Sequence, residues 1–413
     1  MPALPGGFRI SKGLMLTLED ALARILAVMP VPRPEQIPLT EAHGRIVAEQ
    51  IVSPVDLPAF DNSAMDGYAV RAADLALAKA ETPVSLRLAG KVAAGEVFNG
   101  AVTEGACVRL FTGSPLPQGA DAVVMQEATR LEQNKAVLFL EAAKPWENVR
   151  LRGEDVKRGG SIAEPGMLLT AGRISLLTAT GITQLKVGRP PLVALLATGT
   201  ELIEPGRPLM AGQIYESNRT GLAALARRAG AIPKIFPLVP DTLAGTRSAL
   251  EQAFDQCDIV VTSGGVSVGE MDFVKQAFED IGGKLQFWKV AIKPGRPFVF
   301  ARWREKFLFG LPGNPVSALV TFLLLVRPAL IRWQGGSEVA LPGYPAVLAE
   351  PLANRGERRH FLRVQVDADG KVRSAGVQAS HVLSSLAKAN GLVDVPPETV
   401  LAAGTRVGVL RWE

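Results

Sequence analysis

From residue 191 onward, short apolar runs alternate with stretches that carry apolar residues at helical spacing, and few folds accommodate that alternation. "LVALLATG" reads as a buried strand, and residues 219–229 as a helix through Leu222, Leu225, Ala226 and Ala229. "IPKIFPLV" is a second strand, "TLAGTRSALEQAFDQC" a second helix with Leu243, Leu250 and Phe254, and "DIVVTS" a third strand. A third helix carries Val274, Ala277, Phe278 and Ile281 and stops at Gly282-Gly283. The β-prone segments "LQFWKVAI", "PFVFAR" and "KFLFGL" precede an apolar helix from Pro315. Strands this apolar are covered on both sides, so residues 191–335 predict a parallel α/β sheet with helices on both faces.

The remaining residues divide around this unit. Residues 56–155 are rich in glycine, proline and short β-prone runs ("VSLRLAG", "ACVRLF", "AVVMQEA", "AVLFLEA"), which predicts a mostly-β domain. Neither flank, 10–55 nor 156–190, is large enough to bury a core alone, so the two are expected to form one domain with the β-domain inserted. The first flank opens on an amphipathic helix, capped by Thr17, with Leu18, Leu22, Ile25, Leu26 and Met29 in one stripe. The second contains a helix over residues 170–180. Residues 336–413 return to short strands, with "DADG" as a hairpin turn, and predict a small β-barrel.

Composition narrows the chemistry. The chain has 413 residues, a net charge of +5, two cysteines and three histidines. Cys107 and Cys257 lack metal-site spacing, which excludes a thiolate zinc site or a disulfide framework and fits a reducing cytoplasm. Any catalysis falls to Asp, Glu, Lys, Arg and backbone amides. No Lys/Arg block calls for nucleic acid. "VSALVTFLLLV" ends at Arg327-Pro328, short of the ~20 residues of a membrane span, and reads as a core helix.

The most informative turn is "TSGGVSVGEMDF", between the third strand and its helix. Ser263, Gly264, Gly265, Ser267 and Gly269 lie at the carboxyl edge of the sheet, where glycines let a backbone approach a ligand and free amides favour an oxyanion. The chain has no GxxxxGK[ST] loop and no GxGxxG, which disfavours a P-loop NTPase or a dinucleotide dehydrogenase. Glu201, Asp241 and Asp272 stand at three strand ends, a set suited to a hard cation such as Mg²⁺. In "FWKVAIKPGRPF", Lys289 and Lys293 are four apart, so an extended strand would point both to one face beside Arg296. "LPGNPVSA" brings Pro312, Gly313 and Asn314 to the same edge, with Asn314 a plausible helix cap. Asp66, Thr112 and Asp155 sit in polar loops of the inserted domain.

Together, "FDNSAMDGYAV", "FTGSPLPQGADAVVMQE", "RGEDV", "SGGVSVGEMD", "WKVAIKPGRPF" and "LPGNPVSA" resemble the molybdopterin molybdenumtransferases, the family related to the gephyrin E domain. The resemblance runs in order along nearly the whole chain. It implies a central molybdopterin-binding α/β domain within an elongated four-domain homodimer in the cytoplasm. The implied reaction converts adenylylated molybdopterin and molybdate to the molybdenum cofactor and AMP, with Mg²⁺. It assigns functional positions to Asp66, Thr112, Asp155, Glu201, Asp241, Asp272, Lys289 and Lys293, and substrate-binding ones to Arg363 and Ser380. Implied partners are a molybdopterin adenylyltransferase and molybdoenzyme-specific chaperones, with neither nucleic acid nor membrane. The sequence departs from the family where Thr200 replaces a common acid, Arg296 replaces a common lysine, and "GVQASH" is a loose version of its motif. A non-catalytic molybdopterin-binding scaffold and a molybdopterin adenylyltransferase are the alternatives.

Overall fold

The computed structural model describes residues 15–132, 136–266 and 273–412. Its α/β unit is built on a six-stranded sheet in the order Ile232–Ile235, Leu192–Ala197, Ile259–Ser263, Lys306–Leu311, Val299–Trp303, Lys284–Trp288. The first four strands are parallel. Alternate side chains enter opposite cores, as the strand period requires. Val193, Leu195, Ile259 and Val261 face one cluster, whereas Ala194, Leu196 and Val260 face the other.

The parallel core expected for this unit is present, and the last two strands, which both pair antiparallel, make the sheet mixed. Trp303 pairs with Lys306, leaving only Arg304-Glu305 between the strands, with Arg304 at φ 56°. A parallel pair would need a crossover of roughly a dozen residues, and none is present.

The apolar helix runs over Pro315–Trp333, 19 residues, and does not stop at Arg327-Pro328. The Arg327 N–H reaches back to the Phe322 carbonyl in a π-type turn, and Pro328, which has no N–H to offer, follows within the continuing helix. Its apolar stretch is 78% buried, so it serves as a core helix.

The two flanks of the inserted domain share a core. Pro34–Pro38 pairs with Gln184–Gly188, and Leu39, Ala42 and Val47 pack with Ala163, Leu169, Leu177 and Val187. The helix Leu18–Ala27, capped by Thr17 Oγ1 accepting from the Asp20 amide (3.1 Å), goes elsewhere. Its buried Ala21 and Ile25 join the core of the α/β unit, and Leu16 bridges to Val290. An amphipathic stripe states that a helix will be buried but not against which partner.

The inserted domain is a six-stranded sheet in which only Val84–Val92 and Ala106–Leu110 are parallel. At the other end of the chain, five strands close into a barrel. "DADG" turns between two of them, with Asp367 Oδ1 accepting from the Asp369 and Lys371 amides. Ile292–Lys293, supplied by the α/β unit, adds to this barrel beside Arg359–Val366.

Candidate functional site

At the carboxyl ends of the parallel strands lies a cleft of about 310 Å³. It is lined by Thr198 and Gly199, Glu201, Asp241, residues 264–266, Pro297, and residues 312–314. Gly264 and Gly265 have φ of 91° and 66°. A Cβ on Gly264 would stand 2.7 Å from the Thr198 carbonyl oxygen, so the wall at this point must be bare backbone. Ser263 lies just behind the wall, 2% exposed.

Two of the three expected carboxylates meet in this cleft. Asp241 accepts from the Thr200 amide (3.1 Å), whereas Glu201 is exposed. Asp272, Ser267 and Gly269 lie outside the described residues. Among the described residues no group of three or more His, Cys, Asp or Glu could hold a metal ion. The pair is nonetheless a fit for Mg²⁺, which commonly takes one or two carboxylates and keeps its remaining positions for water and substrate phosphate.

Cations gather where the barrel meets the α/β unit. Lys293 is exposed and lies in register with His360, and Arg358 donates to the Ile292 carbonyl (2.9 Å). Arg296 is exposed and directly precedes Pro297, which lines the cleft. Burial, followed by the charges of Lys293, Arg363 and Arg358, pushes the His360 imidazole down to about 4.

Lys289 and Lys293 do not share an extended strand. Lys289 sits at φ 74°, after the strand Lys284–Trp288 has ended, and its ammonium lies 3.8 Å from the centre of the Trp288 ring. The bend breaks the two-residue alternation, and the half-buried Lys289 ammonium rests against an aromatic face.

Arg363 lies inside the C-terminal unit. It is fully buried, donating through Nε to Ser385 Oγ (2.9 Å) and through Nη2 to the carbonyls of Val377 (2.8 Å) and Ala379 (3.2 Å). In this position it braces the loop that carries Ser380 and reaches no open surface. Ser380 Oγ accepts from Asn314 Nδ2 (3.1 Å), and the Val316 amide donates to the Ser380 carbonyl. Asn314 thus occupies the helix-cap position, but its side chain ties the barrel to the cleft rim instead of capping.

The inserted-domain candidates stand apart from the cleft. Asp66 Oδ1 accepts from both the amide and the hydroxyl of Thr112 (2.8 Å each). Those bonds, with the nearby Arg109 charge, hold its carboxyl below the ordinary aspartate value. Asp155 is exposed, its amide donating to the Leu57 carbonyl. Burial pushes the Cys107 thiol up to about 12 and that of Cys257 to about 11, so neither is a ready thiolate.

Sequence reasoning missed His360, Arg358 and Asn218. The first two are separated from Lys293 by more than 60 positions and meet it through strand pairing. Asn218, in "ESNRT" at a helix start, binds both glycine turns, and the small polar cluster before an apolar stripe was its visible signal.

Comparison with known proteins gives one consistent result. Residues 16–181 match the MoeA N-terminal region (domain I and II), 194–332 a probable molybdopterin binding domain, and 345–412 the MoeA C-terminal region (domain IV). The chain is 41% identical to a molybdopterin molybdenumtransferase of Haemophilus influenzae over 390 residues, 93% of this chain and 95% of that one. It is 39% identical to molybdopterin molybdenumtransferase 2 of Mycobacterium tuberculosis, covering 97% and 100%. The crystal structure of the molybdopterin biosynthesis MoeA protein from Pyrococcus horikoshii OT3 superposes with a TM-score of 0.84 at 31% identity, covering 97% and 100%.

Proposed function

We propose that this chain, which belongs to the molybdopterin molybdenumtransferase family, transfers molybdenum from molybdate to adenylylated molybdopterin and releases AMP. The observation that carries this reading is the cleft, where bare glycine turns face a pair of carboxylates and the exposed Arg296 directly precedes Pro297 of the lining. Adenylylated molybdopterin contains a phosphoric anhydride, and amides at the strand ends suit its oxygens. Lys293 and Arg296 supply fixed positive charge for molybdate or phosphate, with Lys289 close in sequence. Arg363 acts at one remove, by bracing the loop before Ser380.

Glu201 and Asp241, with Asp272, would hold Mg²⁺, which when bound polarises the anhydride toward cleavage. The sulfurs that receive molybdenum belong to the substrate, consistent with two buried, protonated thiols in the protein. Asp66, Thr112 and Asp155 enter the reaction in a homodimer, where the inserted domain of one protomer completes the cleft of the other. The setting is the cytoplasm, where cysteines stay reduced.

The test is incubation of the purified protein with adenylylated molybdopterin, Mg²⁺ and molybdate while AMP is followed. Release of AMP that requires molybdate supports the reading. Binding without turnover would indicate a scaffold, and formation of adenylylated molybdopterin from ATP would indicate an adenylyltransferase.

A further inference from the structure

The two glycine turns of the cleft wall belong to neighbouring strands, with Ser263 in register with Leu311, but backbone pairing ends there. Beyond a last backbone bond from the Gly264 amide to the Leu311 carbonyl (3.1 Å), the turns are joined through the side chains of Asn218 and Ser263. Asn218, 8% exposed, donates from Nδ2 to Ser263 Oγ (2.6 Å) and to the Gly313 carbonyl (2.7 Å). Ser263 Oγ in turn donates to the Pro312 carbonyl (3.4 Å). A carbonyl can only accept, so the Gly313 contact fixes which way the amide faces, and both of its hydrogens are committed. Asn218 Oδ1 is buried with no hydrogen-bond partner among the described residues. The side chain therefore accepts a desolvation cost to place its donors.

The base of this clamp is itself held. Asn218 opens the helix Asn218–Arg228, and the Glu216 carboxylate accepts from the Arg219 amide (2.9 Å) and Nε (2.8 Å), both side chains 3% exposed. Arg219 also bonds both oxygens of Glu204, on the segment that leads away from Glu201. The backbone that carries Asn218 is thus anchored between the two residues of a buried ion pair.

We propose that Asn218 is a positioning residue for the transfer reaction, holding the 263–265 and 312–314 turns at the separation that the adenylylated substrate requires. This rests on the reading that the cleft binds that substrate. Asn218→Asp keeps the volume and removes both donors, and Asn218→Ala removes the side chain.

The test measures steady-state AMP release and thermal melting for the parent, both Asn218 variants, Ser263→Ala and the Asn218→Ala/Ser263→Ala double variant. The KM for adenylylated molybdopterin should rise roughly tenfold in either Asn218 variant, the scale of a lost buried hydrogen bond. The KM for molybdate should not move. The double variant should cost less than the sum of the single ones, because both singles break one network. If Asn218→Ala melts lower yet keeps both KM values and kcat, or if the two losses simply add, the proposal is overturned. A parent that binds the substrate but releases no AMP overturns instead the underlying functional reading, and this inference with it.

Discussion

His360 is held neutral by its surroundings, at 5% exposure and with Lys293, Arg358 and Arg363 as its charged neighbours. Its value in the folded protein, about 4, lies below the 6.5 of a free imidazole, so between those values the unfolded chain binds a proton that the folded one does not. Stability therefore falls as pH drops below 6.5 and stops falling on this account near 4. The loss from this one group approaches about 2 kcal/mol at pH 5. Melting curves between pH 7 and 5 should be flatter for His360→Gln than for the parent, whatever the variant does to stability at pH 7. Equal slopes would remove His360 from the account. Asp241 allows a sharper chemical test, because its carboxylate lies in the cleft with Glu201. Asp241→Asn should raise the Mg²⁺ needed for half-maximal AMP release roughly 10- to 100-fold. An unchanged Mg²⁺ requirement in a folded variant would dissociate the cleft from the metal.

At the scale of elements, legibility followed the range of the interaction. The inner parallel strands were readable because burial on both faces leaves an uninterrupted apolar run, and glycines marked the turns that follow them, whereas the edge strand Ile232–Ile235 is largely exposed. Local signals also sufficed for Thr17 at its helix start and for "DADG". What escaped notice depended on distant residues. Nothing near Leu18–Ala27 reveals that it packs on the α/β unit, and nothing in "FLRVQV" reveals that Arg363 is buried. The Lys289 bend was invisible because the apolar neighbours that suggested a strand are buried on either side of a turn. One consequence is testable. The two lysines have separate surroundings, so Lys293→Ala should weaken molybdate or substrate binding and its salt dependence. Lys289→Ala, which also uncovers the Trp288 ring, should lower the melting temperature as well. Identical binding and stability losses in the two variants would contradict the bend.

At the scale of the molecule, the candidate residues form two groups, Asp66 with Thr112 on the inserted domain and Glu201 with Asp241 in the α/β cleft. A two-fold dimer offers a way to unite them twice over. Equal mixtures of inactive Asp66→Ala and Asp241→Ala chains should regain about a quarter of parental activity after subunit exchange, since about half the dimers are mixed and each has one intact site of two. Verified mixed dimers that remain inactive would place both groups in one protomer's site. The activity tests presuppose the reaction itself. The most direct measurement is a single turnover with enzyme in excess of adenylylated molybdopterin, quantifying AMP released and molybdenum bound to the pterin product. The account predicts one AMP for each molybdenum transferred and no AMP without molybdate. Molybdenum-free release of AMP at the same rate, or no release at all from bound substrate, would contradict it.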